Sequence, residues 1–130
     1  MDEGRNQDLK IRMRKFALRI IRLYKALPNS VEAQIISKQI LRSGTSVGAQ
    51  YREGTRARST AEFISWIDSG SQELEETMYW FELLLESEIF KPEKLEVLQT
   101  EADELMAIFV SSVKKVKAGS MKKERWSRNA

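Results

Sequence analysis

The chain contains no cysteine and no histidine, and only six glycines and two prolines among its 130 residues. The absence of cysteine excludes disulfide bonds, thiol nucleophiles and cysteine-ligated zinc. The absence of histidine removes the commonest general base and the commonest metal ligand. An enzyme built on this sequence would depend on Glu, Lys or Tyr alone. We therefore expect a protein that is not an enzyme and that holds no cofactor or metal.

Long apolar runs are also missing. Runs such as Leu83–Leu85 fall far short of the about 20 residues that a membrane-spanning helix needs, and the first eight residues are polar, unlike a signal peptide. We therefore expect a cytoplasmic protein with no membrane partner. Hydrophobic residues make up 42% of the chain and charged residues 32%. This composition suits one compact domain, and the length is too short for two of ordinary size.

Apolar residues recur at steps of three and four along four segments, which is the period of an amphipathic helix. Breaks at the two prolines and around residues 58–60 separate the segments. Four such helices with short connections predict an all-α, up-down-up-down four-helix bundle. The predicted core positions are Leu9, Met13, Phe16, Ile20, Tyr24 and Leu27, then Ile36, Ile40, Val47 and Tyr51, then Phe63, Ile67, Gly70, Leu74, Thr77 or Met78, Phe81, Leu84 and Leu85, and finally Leu95, Leu98, Ala102, Leu105, Phe109, Val113 and Val116.

Capping residues predict where the later helices begin. Ser59 followed by Glu62 is a capping box, and Asn29 followed by Glu32 is a variant of one, with Asn29 or Ser30 as the first residue. Pro92 suits the first turn of the fourth helix. Each of these residues stands directly before or at the start of an apolar stripe.

The two ends of the chain are polar. Gly119 is expected to end the fourth helix. We therefore divide the chain into a flexible N-terminus (residues 1–7), a four-helix bundle domain (8–117) and a basic C-terminal tail (118–130), which we expect to fray. Within the second segment, Gly44 and Gly48 allow either a loop or one continuous helix that a neighbour approaches closely. We favour the continuous helix because the apolar stripe keeps its phase across them.

Charge is segregated along the sequence. Residues 1–58 carry a net charge of +8 and residues 59–91 one of −7. Oppositely charged helices that pack side by side would explain this pattern without any function. The alternative is a positive surface for nucleic-acid phosphates, which suit the forked donors of arginine. The candidate nucleic-acid-binding residues are Arg12, Arg19, Arg22, Arg52, Arg56, Arg58, Lys122, Lys123 and Arg125.

Two pairs of glutamates stand at E-x-x-E spacing, Glu73 with Glu76 and Glu101 with Glu104. Carboxylates three residues apart share one face of a helix. A di-metal site in a helical bundle would combine such glutamates with histidines, and the chain has none. We therefore expect these carboxylates to be exposed and solvated.

Residues 39–54, QILRSGTSVGAQYREG, resemble the signature QLRRAA-SI-ANI-EG of a bacterial four-helix-bundle family, the 23S rRNA-intervening sequence proteins. Residues 63–76, FISWIDSGSQELEE, resemble its F---L-IA-GS--EL- segment, and Leu27-Pro28 fits its LP junction. The resemblance implies a left-handed up-down-up-down bundle that assembles into a homo-pentameric ring, with no established biochemical activity. A related branch, the accessory variability proteins of diversity-generating retroelements, implies binding of nucleic acid and of a reverse transcriptase.

The match to the signature also singles out individual residues. Arg42, Glu53 and Glu73 occupy its polar positions, as a partner site or as an interhelical salt-bridge network that fixes register. The sequence departs from the signature at Gly48 and at Gln50, where asparagine is usual. If that asparagine bonds between helices, Gln50 must do so differently.

Large aromatic residues lie away from the predicted core stripes. Trp66 and Trp80 are the main examples, and exposed aromatics mark interfaces. The alternative is that they cover the edges of the bundle. Trp126, among cationic residues of the tail, could stack on a base or be idle.

Two function hypotheses follow from the sequence. The first is a non-enzymatic, self-associating bundle that binds RNA or DNA through an Arg/Lys-rich surface as an accessory factor. The second is a protein–protein adaptor that holds a basic partner with exposed aromatics and the acidic third helix, without nucleic acid.

Overall fold

The computed structural model describes the backbone of residues 3–129 and the side chains of residues 3–121. Over these residues the chain forms four helices and no strand: α1 (Glu3–Ala26), α2 (Val31–Thr55), α3 (Thr60–Glu86) and α4 (Pro92–Asn129). The prediction of an all-α protein with four helices is confirmed. Within residues 3–129, none of these helices is long and apolar enough to cross a membrane.

Both ends of the helical region extend further than the sequence predicts. α1 begins at Glu3, so it includes most of the segment 1–7 that the sequence analysis places outside the bundle domain. α4 continues through Gly119 to Asn129, which corrects the predicted stop at Gly119. Gly119 has no positive φ, and a glycine inside a helix costs only about 1 kcal/mol relative to alanine. One glycine is therefore not enough to end a helix.

Serine side chains cap the beginnings of α2 and α3. Ser30, rather than Asn29, is the N-cap of α2, and its Oγ accepts a hydrogen bond from the Ala33 backbone N–H at 3.3 Å. Ser59 accepts from the Glu62 N–H at 3.1 Å in the same way. Each cap satisfies one of the N–H groups that a helix N-terminus leaves without an internal partner.

The end of α3 has an unusual backbone conformation at Glu88. This residue has φ of 58°, in the left-handed region. The Ile89 N–H donates to the Leu84 carbonyl and the Glu88 N–H donates to the Leu85 carbonyl, both at 3.2 Å. This is the hydrogen-bond pattern of a Schellman cap, in which the left-handed residue is usually glycine.

Replacing Glu88 by glycine should therefore raise the free energy of unfolding by about 0.5–1 kcal/mol. The left-handed conformation costs an L-residue about 1–2 kcal/mol, which glycine avoids. The greater conformational freedom of glycine in the unfolded chain offsets part of that gain. Urea denaturation followed by circular dichroism measures the change. The control is Ser87→Gly, because Ser87 has a right-handed φ of −85° and should lose stability. Equal losses in both variants would contradict the assignment of strain to Glu88.

The core contains residues from all four helices. In α1 it includes Leu23 rather than the predicted Tyr24, which is half-buried. In α2 it includes Ser37 rather than the predicted Ile36, because α2 turns its small residues towards its neighbours. The buried apolar residues are Leu9, Met13, Phe16, Ile20, Leu23, Leu27, Ala33, Ile40, Val47, Tyr51, Ile67, Leu74, Phe81, Leu84, Leu95, Leu98, Ala102, Leu105 and Phe109.

Small residues let α1 and α3 approach α2 closely. A Cβ atom at Gly44 would lie 2.9–3.1 Å from three side-chain carbons of Ile20, and one at Gly48 would lie 3.4 Å from the Met13 Cβ. On the side facing α3, the buried hydroxyls of Ser43 and Thr77 are hydrogen-bonded at 2.7 Å. The prediction of one continuous α2 helix whose small residues permit close packing is confirmed.

The packing between helices is uneven. α2 is closely packed against both α1 and α3, whereas α1 and α4 touch at few points. Arg12 bridges this sparse seam to Glu101 and Glu104. The seam leaves an open groove at the end of the molecule formed by residues 19–26 and 90–98.

Candidate nucleic-acid interface

Contacts around Tyr51 show which helix ends lie together. The Tyr51 hydroxyl donates to Asn6 Oδ1 at 2.6 Å, and its ring stacks on Phe109 with centroids 6.1 Å apart. The start of α1, the last turn of α2 and the part of α4 near Phe109 therefore meet at one end of the molecule. At 1.5 Å per residue, Lys114–Lys117 follow Phe109 within about 12 Å along α4.

Six cationic residues of this region are exposed. Three belong to the last turn of α2 and the loop that follows it, and three to α4. None of the six makes an ion pair with another residue among the described side chains. We call these residues the basic end: Arg52, Arg56, Arg58, Lys114, Lys115 and Lys117.

The remaining predicted arginines lie elsewhere. Arg12 Nε donates to both carboxylate oxygens of Glu101 at 3.1 Å, and its Nη2 donates to Glu104. The hydrogen bond that Arg12 donates to Glu101 is the main reason that the pKa of Arg12 is raised. Arg19 and Arg22 line the groove between α1 and α4. Gly48 of α2 packs against Met13 of α1, so these two residues lie at the same height in the bundle. Arg22 of α1 and Arg52 of α2 lie on opposite sides of that height, about 20 Å apart along the helix axes. The predicted set therefore divides between two regions.

Three predicted residues belong to the end of α4. Lys122, Lys123 and Arg125 lie in a helical backbone that continues ten residues past Gly119. Their side chains, like that of Trp126, are outside the described residues. α4 therefore extends the chain away from the basic end as a helix with four cationic residues in its last nine positions.

Arg42 joins α2 to α3. Its guanidinium donates to Glu73 Oε2 at 3.3 Å and to Glu76 Oε1 at 2.6 Å. The hydrogen bond from Arg42 is the main cause that lowers the pKa of Glu76, and the same contact raises the pKa of Arg42. Glu53 is exposed and forms no ion pair with either residue within the described chain. The network therefore consists of Arg42, Glu73 and Glu76.

The two E-x-x-E pairs have the same structural role. Each pair holds one arginine of a neighbouring helix, Arg42 from α2 and Arg12 from α1. The expectation of exposed, solvated carboxylates is corrected for Glu73, Glu76 and Glu101, which are partly buried, while Glu104 is exposed. In both pairs the two carboxylates accept from the same guanidinium. The spacing on a shared helix face is the signal that could have found them.

The aromatic residues away from the core are partly covered. Trp66 is half-buried beside Gly54, where an added Cβ would lie 3.3 Å from the Trp66 Cβ. Trp80 is half-buried, and its Nε1 donates to Glu76 Oε1 at 3.4 Å. Tyr79 packs edge-on against Trp80 and is 53% exposed. Of these three, Tyr79 presents the largest exposed aromatic surface.

Tyr51 connects the basic end to the core, a role that sequence reasoning assigned only as packing. Burial raises the pKa of its hydroxyl to about 12, and the nearby charge of Arg5 lowers it in part. Beside it, the side-chain carbonyl of Gln50 is buried and has no hydrogen-bond partner among the described residues. Gln50 is the position where the family signature carries asparagine.

Ionisation of Tyr51 should make the fold sensitive to alkaline pH. The hydroxyl ionises near pH 10 in an unfolded chain and near pH 12 in the folded one, so the folded state keeps its proton longer. Its contribution to stability is complete below pH 10 and is lost as pH rises towards 12. Tyr51→Phe cannot ionise and should lose less stability over that window. Urea denaturation of both proteins at pH 9 and 11.5 measures this, and equal losses would exclude Tyr51 as the cause.

Known proteins similar to this chain share its helical architecture. A protein of unknown function from the S23 ribosomal protein family of Bacteroides thetaiotaomicron, with a crystal structure at 1.70 Å, is 41% identical. The alignment covers 81% of this chain and 97% of that one, with a TM-score of 0.76. No curated protein matches the sequence. The sequence model of the 23S rRNA-intervening sequence proteins matches residues 5–111, most of the length. The chain therefore belongs to the 23S rRNA-intervening sequence protein family.

Proposed function

We propose that this chain is a non-enzymatic, oligomeric bundle that binds the phosphate backbone of RNA or DNA through its basic end. The observation that supports this most directly is the contrast between two sets of arginines. Arg12 and Arg42 are each held by two carboxylates, whereas Arg52, Arg56 and Arg58 are exposed without an ion pair among the described residues. Exposed guanidinium groups keep their donors available for phosphate oxygens.

The position of the basic end adds to this argument. Its arginines lie in the last turn of α2 and in the loop after it, at the same end of the molecule as exposed lysines of α4. Beyond Lys117, the last residues of α4 lead away from this end with further cationic sequence. Phosphate contacts of this kind position a protein on nucleic acid without reading its bases. We therefore assign no sequence preference to the binding.

An up-down-up-down arrangement of the helices accounts for the contacts. Between α1 and α2, Gly44 lies against Ile20 and Gly48 lies against Met13. Residue numbers therefore rise along α2 where they fall along α1. Between α2 and α3, Ser43 meets Thr77 and Gly54 meets Ile67 in the same opposed sense. These pairings support antiparallel neighbours, as short connections favour.

Exposed apolar residues support self-association. Val31 and Ile35, one turn apart at the start of α2, are 74% and 58% exposed. Leu18 on α1 is 45% exposed. Val31 and Ile35 share one face of α2, and exposed apolar residues that lie together are typical of interfaces between protein chains. We propose a homo-pentamer, for which native mass spectrometry should find five copies of the 15.1 kDa chain. A monomer at micromolar concentration would overturn it.

Charge-neutral variants test the nucleic-acid proposal. The basic-end variant replaces Arg52, Arg56 and Arg58 by glutamine. The control variant replaces Arg14, Lys25 and Lys38 by glutamine. These residues are also exposed, and their replacement removes the same charge elsewhere on α1 and α2. Fluorescence anisotropy with a labelled 30-base-pair RNA or DNA duplex in 50 mM salt should show at least a tenfold loss of affinity for the first variant and less than threefold for the second.

Two outcomes would reject this proposal. One is equal loss in both variants, because it would mean that net charge rather than the basic end governs binding. The other is no binding of any duplex or single strand by the native protein at micromolar concentration. The second outcome would favour a protein–protein adaptor, for which Tyr79 and the exposed Glu75 and Glu82 of α3 are the available surface.

A further inference from the structure

The groove between α1 and α4 lies at the opposite end from Arg52. It has a volume of about 480 Å³, within the range of about 300–1,000 Å³ that is usual for small-molecule sites. Leu23 and Leu98, each 5% exposed, form its floor. Val97 lines one side and remains 57% exposed. The backbones of α1 and α4 come close together at few positions, and the groove lies between these two helices.

Cationic side chains surround this apolar floor. Arg19 and Arg22 from α1 and Lys94 from α4 line the groove, against the single carboxylate of Glu93. None of the three cations forms an ion pair with another described residue, unlike Arg12 on the same helix. The half-buried Phe90 joins the groove to a second depression beside Pro28 and Ile89, with a volume of about 490 Å³. The site therefore has an apolar interior and an excess of positive charge at its edge.

We propose that this groove binds an amphipathic anion, a small carboxylate with a hydrocarbon body. The hydrocarbon lies on Val97 and Ala26, which are exposed, and on the half-buried Phe90, above the buried Leu23 and Leu98. The carboxylate meets the guanidinium groups of Arg19 and Arg22, which bind carboxylates through paired N–H donors. The site is separate from the basic end and does not depend on nucleic-acid binding.

The size of the groove favours a small molecule over a protein segment. Its α1 wall runs from Arg19 to Ala26, eight residues, or about 11 Å along the helix. A docked helix would contact that wall for only two turns. A chain of about eight carbons has a matching extended length.

Octanoate is the probe, compared with 1-octanol and octylamine, which share its hydrocarbon chain but are neutral or cationic. Amide chemical shifts measured by NMR should follow octanoate binding at residues of the groove. The affinity for 1-octanol should be at least tenfold weaker and that for octylamine weaker still. No shifts at 10 mM octanoate, or equal affinity for octanoate and 1-octanol, would overturn the proposal.

Matched variants locate the site. Val97→Asp and Arg22→Glu should each reduce octanoate affinity at least tenfold. The controls are Val110→Asp, a valine of α4 that is 47% exposed and outside the groove, and Arg14→Glu, an exposed arginine of α1 outside it. Circular dichroism checks that all four fold. Equal effects in variants and controls would overturn the proposal. It would also be overturned if the native protein did not bind octanoate and Val97→Asp dissociated an oligomer, because a second copy of the chain would then occupy the groove.

Discussion

Replacing Gly44 by valine should lower the free energy of unfolding by about 3 kcal/mol. The first added carbon would lie 2.9 Å from Ile20 Cγ1 and 3.0 Å from Cγ2, and Ile20 is fully buried. Both carbons are close to the backbone in a β-branched side chain, so neither can rotate away at low cost. Overpacking of this kind costs about 1–3 kcal/mol, and valine adds two further methyl groups. Urea denaturation followed by circular dichroism measures the loss.

Gly48→Ala is the matched control, one turn further along α2. A Cβ there would make ordinary contact with Met13 at 3.4 Å, so the change should stabilise the protein by up to about 1 kcal/mol through helix propensity. Removing the Ile20 side chain that a valine at position 44 would meet provides a second test. In an Ile20→Ala background, Gly44→Val should lower the free energy of unfolding by less than about 1 kcal/mol. If Gly44→Val and Gly48→Ala had the same sign, the close approach of α1 and α2 would be wrong.

Replacing Phe109 by alanine should cost about 3–5 kcal/mol, the usual range for a fully buried phenylalanine. Phe109 is 1% exposed. Its ring stacks on Tyr51 of α2 at an angle of 13° and lies 3.3 Å from the position of a Cβ at Gly70 of α3. α4 thus contacts two other helices through one side chain, and no adjacent residue could fill the resulting cavity.

The neighbouring Val110 is the control for this change. It is 47% exposed on the outer face of α4, so Val110→Ala should change the free energy of unfolding by less than about 0.5 kcal/mol. Phe109→Ala should also remove the ring that stacks on Tyr51, so the near-ultraviolet circular dichroism signal of Tyr51 should become weaker. A loss below 1 kcal/mol for Phe109→Ala would show that α4 is held mainly elsewhere.

Local rules explain which parts of the fold the sequence predicts. Periodicity and caps depend on residues within one or two turns, so Ser59 and Pro92 mark helix starts correctly. The same rules fail at Gly119, where a break in propensity is too small to stop a helix. They also fail at Glu88, because hydrogen bonds to Leu84 and Leu85 impose a conformation that its residue type disfavours.

The candidate site is less predictable for a different reason. Sequence counts cations but does not show which of them are paired, because pairing depends on residues about 30–90 positions away. Arg12 and Arg52 look alike in sequence, yet only Arg12 lies against two carboxylates. The burial of Leu23 and Tyr24 is hard to predict for a similar reason. Leu23 is buried and Tyr24 is half-buried because of the face that α1 turns towards the other helices, which hydrophobicity alone does not determine. The family resemblance predicts the helices but not this partition of charge.

The salt dependence of nucleic-acid binding tests the central claim most directly. Each phosphate neutralised adds about −0.9 to the slope of log affinity against log salt concentration for duplex DNA. Between 50 and 200 mM salt, replacing Arg52, Arg56 and Arg58 by glutamine should make that slope shallower by about two to three units, while the control variant at Arg14, Lys25 and Lys38 keeps the native slope. A native slope near zero, or an unchanged slope in the basic-end variant, would contradict the account.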